Sequence, residues 1–187
     1  IKQRTDSNKL AVILPGAGYT VNAPLLHYST GLYLHKGYDV LHVKYSYPKE
    51  VFSKMSKEAF SEDVKIVLDQ NLDKYNDLTV IAKSLGTIVL ASLQEQLNIS
   101  RSIWLTPLIQ TDYVYEKMLS TDQKGLVLIG DQDPCYIEER FKMLAKKTNL
   151  TTHLIPNTNH ALEYDGDVIN SVNVLKDIVH IINDYNS

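Results

Sequence analysis

Leu78-Thr79-Val80-Ile81-Ala82-Lys83-Ser84-Leu85-Gly86-Thr87-Ile88-Val89-Leu90 reads as a strand that turns into a helix at one residue. Val80 and Ile81 favour a strand. Leu85, Ile88, Val89 and Leu93 recur at helical spacing. The chain must reverse between them within about two residues, which needs small side chains around the corner. Ala82 and Gly86 stand two positions before and after Ser84. A serine on such a corner projects its hydroxyl away from the sheet, beside free N–H groups at a helix N-terminus that can hold an oxyanion. The same serine would also serve as an ordinary helix N-cap. Ala82 stands where the Gly-x-Ser-x-Gly corner has its first glycine, one methyl more than the pattern. The choice between nucleophile and cap rests on the rest of the chain.

Outward from this corner, short apolar runs alternate with helical stretches. Strands are expected at residues 10–14, 40–43, 78–83, 102–106, 125–129 and 151–155. Helices are expected at about 23–36, 49–74, 85–97, 136–147 and 168–185, with an irregular or helical piece over 112–120. Pro15, Pro48, Pro107 and Pro156 close strands, and Gly37 ends a helix. Such alternation implies an α/β fold with three layers, a mostly parallel sheet of about six strands covered by helices on both faces. With no repeat or linker over 187 residues, one domain is expected, with residues 1–8 as a flexible or edge segment.

Composition narrows the function classes. A formal charge of −3 without a basic run argues against nucleic acid as a partner. No apolar stretch is long enough to span a membrane, and residues 1–8 lack the apolar core of a signal peptide. Cys135 is the single cysteine, which excludes an internal disulfide and suits a reducing cytoplasm. Its expected role is packing. No P-loop and no histidine pair at metal-ligand spacing occurs. Gly16 and Gly18 suggest a dinucleotide loop, but Val21 occupies the third glycine's place and no acid follows the second strand suitably. No metal or cofactor is expected.

In an open parallel sheet ligands bind beyond the carboxyl ends of the strands. Gly16-Ala17-Gly18 follows the first strand, Ser84 the third, Asp131-Gln132-Asp133 the fifth and Asn157-Thr158-Asn159-His160 the sixth. A serine hydroxyl needs a base, and a histidine base needs a carboxylate to hold its tautomer. His160 and Asp133 supply these in the order Ser, Asp, His, with Asp131 as the competing acid. The remaining histidines, His27, His35, His42, His153 and His180, fall within expected strands and helices.

These motifs resemble a small serine α/β-hydrolase of the lidless kind, similar to the dienelactone-hydrolase-like and serine-hydrolase-like groups, from Leu10 to about Tyr185. The resemblance implies Ser84 as nucleophile in Ala82-Lys83-Ser84-Leu85-Gly86, Asp133 as acid before Pro134, and His160 as base. It implies the backbone N–H groups of Leu85 and Ala17 as oxyanion hole, with Pro15-Gly16 where the family often has His-Gly. A serine rather than a cysteine nucleophile argues against dienelactone hydrolysis itself. Tyr19, Tyr45 and Tyr113 are candidate substrate-binding residues, with ordinary packing the alternative. Lys83 is expected to point away from the nucleophile.

The function expected is hydrolysis of an ester or thioester of a small acyl substrate by a cytoplasmic monomer or weak homodimer. The segment between Pro107 and Lys124 is too short for a large cap. A non-catalytic binding protein on the same fold, a serine peptidase and a C–C hydrolase are the alternatives.

Overall fold

The computed structural model describes residues 2–3 and 6–185. One seven-stranded sheet contains β1 (Lys2–Gln3), β2 (Lys9–Leu14), β3 (Asp39–His42), β4 (Asp77–Lys83), β5 (Arg101–Leu105), β6 (Gly125–Gly130) and β7 (Leu150–Ile155). Its order is β1-β3-β2-β4-β5-β6-β7. The six longer strands are parallel. β1 pairs antiparallel with the outer side of β3, so part of the expected edge segment does form an edge; residues 1, 4 and 5 lie outside the described residues.

Alternation along each strand divides the core. Leu10, Val12, Leu14, Val80, Ala82, Trp104, Val127 and Ile129 face one layer, with Phe60, Val64 and Leu68 of α3 (Lys57–Leu72) and Val89, Leu90 and Leu93 of α4 (Gly86–Leu93). α5 (Asp112–Ser120) adds Val114 and Met118, and α6 (Glu138–Ala145) adds Phe141 and Leu144. Ala11, Ile13, Ile81, Ile103, Leu105, Leu126 and Leu128 face the other, with Leu25, Leu26 and Tyr33 of α1 (Pro24–His35) and Ile178 and Ile182 of α7 (Val168–Tyr185). Strands buried on both faces carry near-continuous apolar runs, as parallel strands must.

One expectation is corrected. The single helix over 49–74 is two, α2 (Lys49–Phe52) and α3, separated by residues 53–56. The Ser53 hydroxyl donates to the Glu50 carbonyl, and the Ser56 hydroxyl accepts the Ala59 N–H at 3.1 Å as the N-cap of α3. Phe52 stacks on Tyr47 and meets the Phe60 ring edge-on, and the break permits this. Serines three apart inside an apolar helical pattern were the available signal, because each offers the backbone an alternative to helix.

After β2 the chain moves outward to β3, then crosses back to place β4 on the other side of β2. The connections leaving β2 and β4 therefore diverge onto opposite faces and open a crevice at the strands' carboxyl ends. Between β5 and β6 the chain carries only the nine-residue α5. No helix among the described residues is long and apolar enough to cross a membrane.

Candidate active site

Ser84 occupies the corner between β4 and α4 with φ at +50°. A side-chain-bearing residue is uncommon there, and here the corner is held from several sides. The Ser84 N–H donates to the Leu105 carbonyl at 3.0 Å. Its carbonyl accepts the N–H of Thr87 at 2.8 Å and the Thr87 hydroxyl at 2.6 Å. Gly86 lets α4 leave so sharply: a Cβ there would stand 2.4 Å from the Leu14 carbonyl oxygen. Ala82 is fully buried at the position one methyl larger than the glycine of the usual pattern.

His160 lies on the loop between β7 and α7, and Asp133 on the loop between β6 and α6. The Ser84 hydroxyl donates to His160 Nε2 at 2.8 Å, and His160 Nδ1–H donates to Asp133 Oδ2 at 2.8 Å and Oδ1 at 2.9 Å; this tautomer follows from the bonding pattern. Burial works to raise the Asp133 pKa, but the bonds from His160 and from the Cys135 N–H outweigh it and hold the carboxyl below its usual range. Asp131, the competing acid, accepts the Asn157 N–H at 2.7 Å instead and so braces the start of the histidine loop. Gly130 lets that loop cross β6 closely, for a Cβ there would meet the Thr158 carbonyl oxygen at 2.0 Å.

The Gly16 N–H is spent on the Tyr19 carbonyl at 3.1 Å, closing a tight loop after β2. Among the described residues the Ala17 and Leu85 N–H groups have no acceptor. Both residues line a cleft of about 450 Å³ whose walls include Val21, Val43, Tyr45 and Phe52.

No family model matches this chain, and no curated relative matches it either. Solved structures do. Est1E from Butyrivibrio proteoclasticus, solved with ferulic acid bound, superposes with a TM-score of 0.75 at 16% identity, over 99% of this chain and 92% of that one. An α/β serine hydrolase homologue from Coxiella burnetii gives a TM-score of 0.77 at 14% identity, over 100% of this chain and 90% of that one. This chain has the α/β-hydrolase fold. An α/β serine hydrolase without a lid, from Xanthomonas campestris, is also similar, with a TM-score of 0.70 at 15% identity, over 96% of this chain and 81% of that one.

On this α/β-hydrolase frame the three tyrosines separate. Tyr45 lines the cleft beside Leu85, but its hydroxyl is buried away from it without a partner, and burial pushes its pKa up. Tyr19 lies outside that cleft; its hydroxyl accepts the Leu25 N–H in the first turn of α1 at 3.1 Å. Tyr113 also lies outside it, packed against the core with the Lys57 ammonium 5.4 Å from its ring centre. The Cys135 thiol, Asp133 and His160 bring three potential metal-ligating atoms within 4.8 Å of one another. Burial and the Asp133 charge push the thiol up to about 12, so it stays protonated while its neighbours bond each other, a poor donor set for a metal.

Lys83 is the residue whose surroundings sequence reading missed. Strand alternation does turn it from Ser84, onto the face shared with Ile81. There its ammonium donates to the His160 carbonyl and to the Thr106 hydroxyl, each at 2.5 Å, with the Tyr19 ring centre 5.0 Å away.

Proposed function

We propose that this protein is a serine hydrolase that cleaves esters or thioesters of small acyl groups through an acyl-enzyme. The observation that carries the reading is the unbroken hydrogen-bonded relay from Ser84 through His160 to Asp133. Ser84 Oγ attacks the acyl carbonyl as His160 Nε2 takes its proton, and Asp133 stabilises the imidazolium. The oxyanion is received by the unspent N–H groups of Leu85 and Ala17, with the N-terminus of α4 behind them. His160 then protonates the leaving alcohol or thiol, and water releases the acyl group by the same path in reverse.

The substrate class follows from the cleft. It opens beside both oxyanion donors, with Tyr45, Tyr47 and Phe52 in its wall. These rings suit flat or short apolar acyl groups, and the ferulic acid bound to Est1E is consistent with such a ligand. Among the described residues the connection between β5 and β6 carries α5 alone, so no large lid from that connection closes the site against bulky leaving groups.

A fluorophosphonate probe tests the reading directly, because it labels only an activated serine. Wild-type protein should be labelled and Ser84→Ala should not, while retaining its circular dichroism spectrum. Absence of labelling in folded wild-type protein would overturn the proposal.

A further inference from the structure

Lys83 is the one fully buried lysine among the described residues, 1% exposed, and it forms no ion pair there. A buried ammonium costs free energy that an apolar side chain of similar length would not. Its acceptor Thr106 carries a second cost: a β-branched residue at φ +45° is a backbone outlier. Both costs converge on a single atom, Lys83 Nζ, and its other acceptor is the main-chain carbonyl of His160. The rest of the histidine loop is fastened on either side of that residue. Asp131 holds the Asn157 N–H, and the Asn159 side chain accepts the N–H groups of Ala161 and Glu163.

Lys83 is also the residue before Ser84. The Lys83–Ser84 peptide bond, the Lys83 side chain and one hydrogen bond therefore link the backbone of the nucleophile to the backbone of the base, the hydrogen bond itself spanning 77 positions of sequence. We infer that Lys83 is a positioning residue that holds His160 between Ser84 and Asp133 by donating to the His160 carbonyl. The inference rests on the hydrolase reading above. It explains why a strand end that could hold methionine or leucine holds an ammonium: the carbonyl needs a donor, and only a long cationic side chain reaches it from β4 while also satisfying Thr106 and lying on the Tyr19 ring.

Lys83→Met removes the donor and keeps most of the volume. Three readouts apply: the rate of Ser84 phosphonylation by a fluorophosphonate, kcat and KM on p-nitrophenyl acetate, and the low-field proton NMR signal of the His160 Nδ1–H···Asp133 bond. Phosphonylation and kcat should fall about 10- to 100-fold, the scale of a misplaced catalytic group. KM should stay within about twofold because the cleft is untouched, and the low-field signal should shift or broaden. Wild-type rates with an unchanged signal in Lys83→Met overturn the inference. Unlabelled wild-type protein overturns the hydrolase reading instead, and the low-field signal then decides the positioning role alone.

If Lys83→Met does not fold, the wild-type signal is followed from pH 7 to 10. The groups around the ammonium are Asp133 and Cys135 from the acid loop, Glu163 from the histidine loop and Tyr19 from the loop after β2. Burial pushes the Cys135 thiol up to about 12 and the Tyr19 hydroxyl above its ordinary value, and burial of Lys83 brings its ammonium down to about 8. The signal should move as the ammonium loses its proton, with the Lys83 side-chain NMR resonances followed in the same titration, and a His160 signal unmoved while those resonances titrate overturns the inference.

Discussion

Asp131 and Asp133 carry the same carboxylate two positions apart, yet they meet different partners. Asp133 points into the protein and takes both contacts from His160 Nδ1, whereas Asp131 stays at the surface and accepts a backbone N–H of the histidine loop. An amide can replace Asp131 in that role, because its carbonyl oxygen still accepts from Asn157. In the proposed mechanism an amide at Asp133 cannot stabilise the imidazolium and favours the wrong histidine tautomer. Asp133→Asn should therefore lower kcat/KM by about 10³-fold or more, and Asp131→Asn by less than about tenfold. The reverse ranking in ester hydrolysis assays would reassign the acid. Both carboxylates were legible as candidates from their place after a strand. Which one meets the histidine depends on how the turn at residues 130–133 and the loop beyond β7 come together, and composition does not encode that.

At the level of elements, the join of β4 to α4 controls the geometry. Gly86 touches the backbone of β2, and a methyl group there would collide with the Leu14 carbonyl rather than with a side chain that could swing aside. Gly86→Ala should push α4 off the sheet, cost about 2 kcal/mol of stability in urea unfolding, and reduce Ser84 labelling because the Leu85 N–H moves with the helix. Unchanged stability would show that α4 can rise without strain. The need for a small residue at this position was readable from the sequence, since the strand-to-helix turn demands it. The break between α2 and α3 was not read, although Ser56 signalled it. An amphipathic stripe from Phe60 to Leu68 continues backward into Phe52 at a plausible spacing, and Phe52 packs against Tyr47 and Phe60 only because the helix stops.

Across the whole molecule, the buried ammonium couples stability to pH. The pKa of Lys83 is lowered by burial, against the pull of Asp133, from 10.5 to about 8. Below pH 8 both folded and unfolded chains carry the proton and the burial penalty is complete. Between pH 8 and 10.5 the unfolded chain binds the proton that the folded chain has released, so this group's contribution to stability rises with pH. The gain is at most about 3 kcal/mol. In urea unfolding, the stability of wild-type protein relative to Lys83→Met should rise by up to that amount between pH 7.5 and 10.5. A constant difference would mean that the ammonium is not under strain. Asp133 acts in the same direction in an acid window: its lowered pKa contributes stability that is present above the ordinary carboxylate range and is lost as pH falls and acid protonates it. Sheet, layers and strand ends were readable because apolar periodicity and Gly/Pro punctuation are local properties, and the carboxyl-end rule converts strand ends into a site. The relay's members were readable for the same reason. The bracing of Asn157 by Asp131, the withdrawal of Tyr19 and Tyr113 from the cleft, and the grip of Lys83 on His160 were not. Each is a contact between segments far apart in the chain, and its partner is set by how loops descend onto the finished sheet.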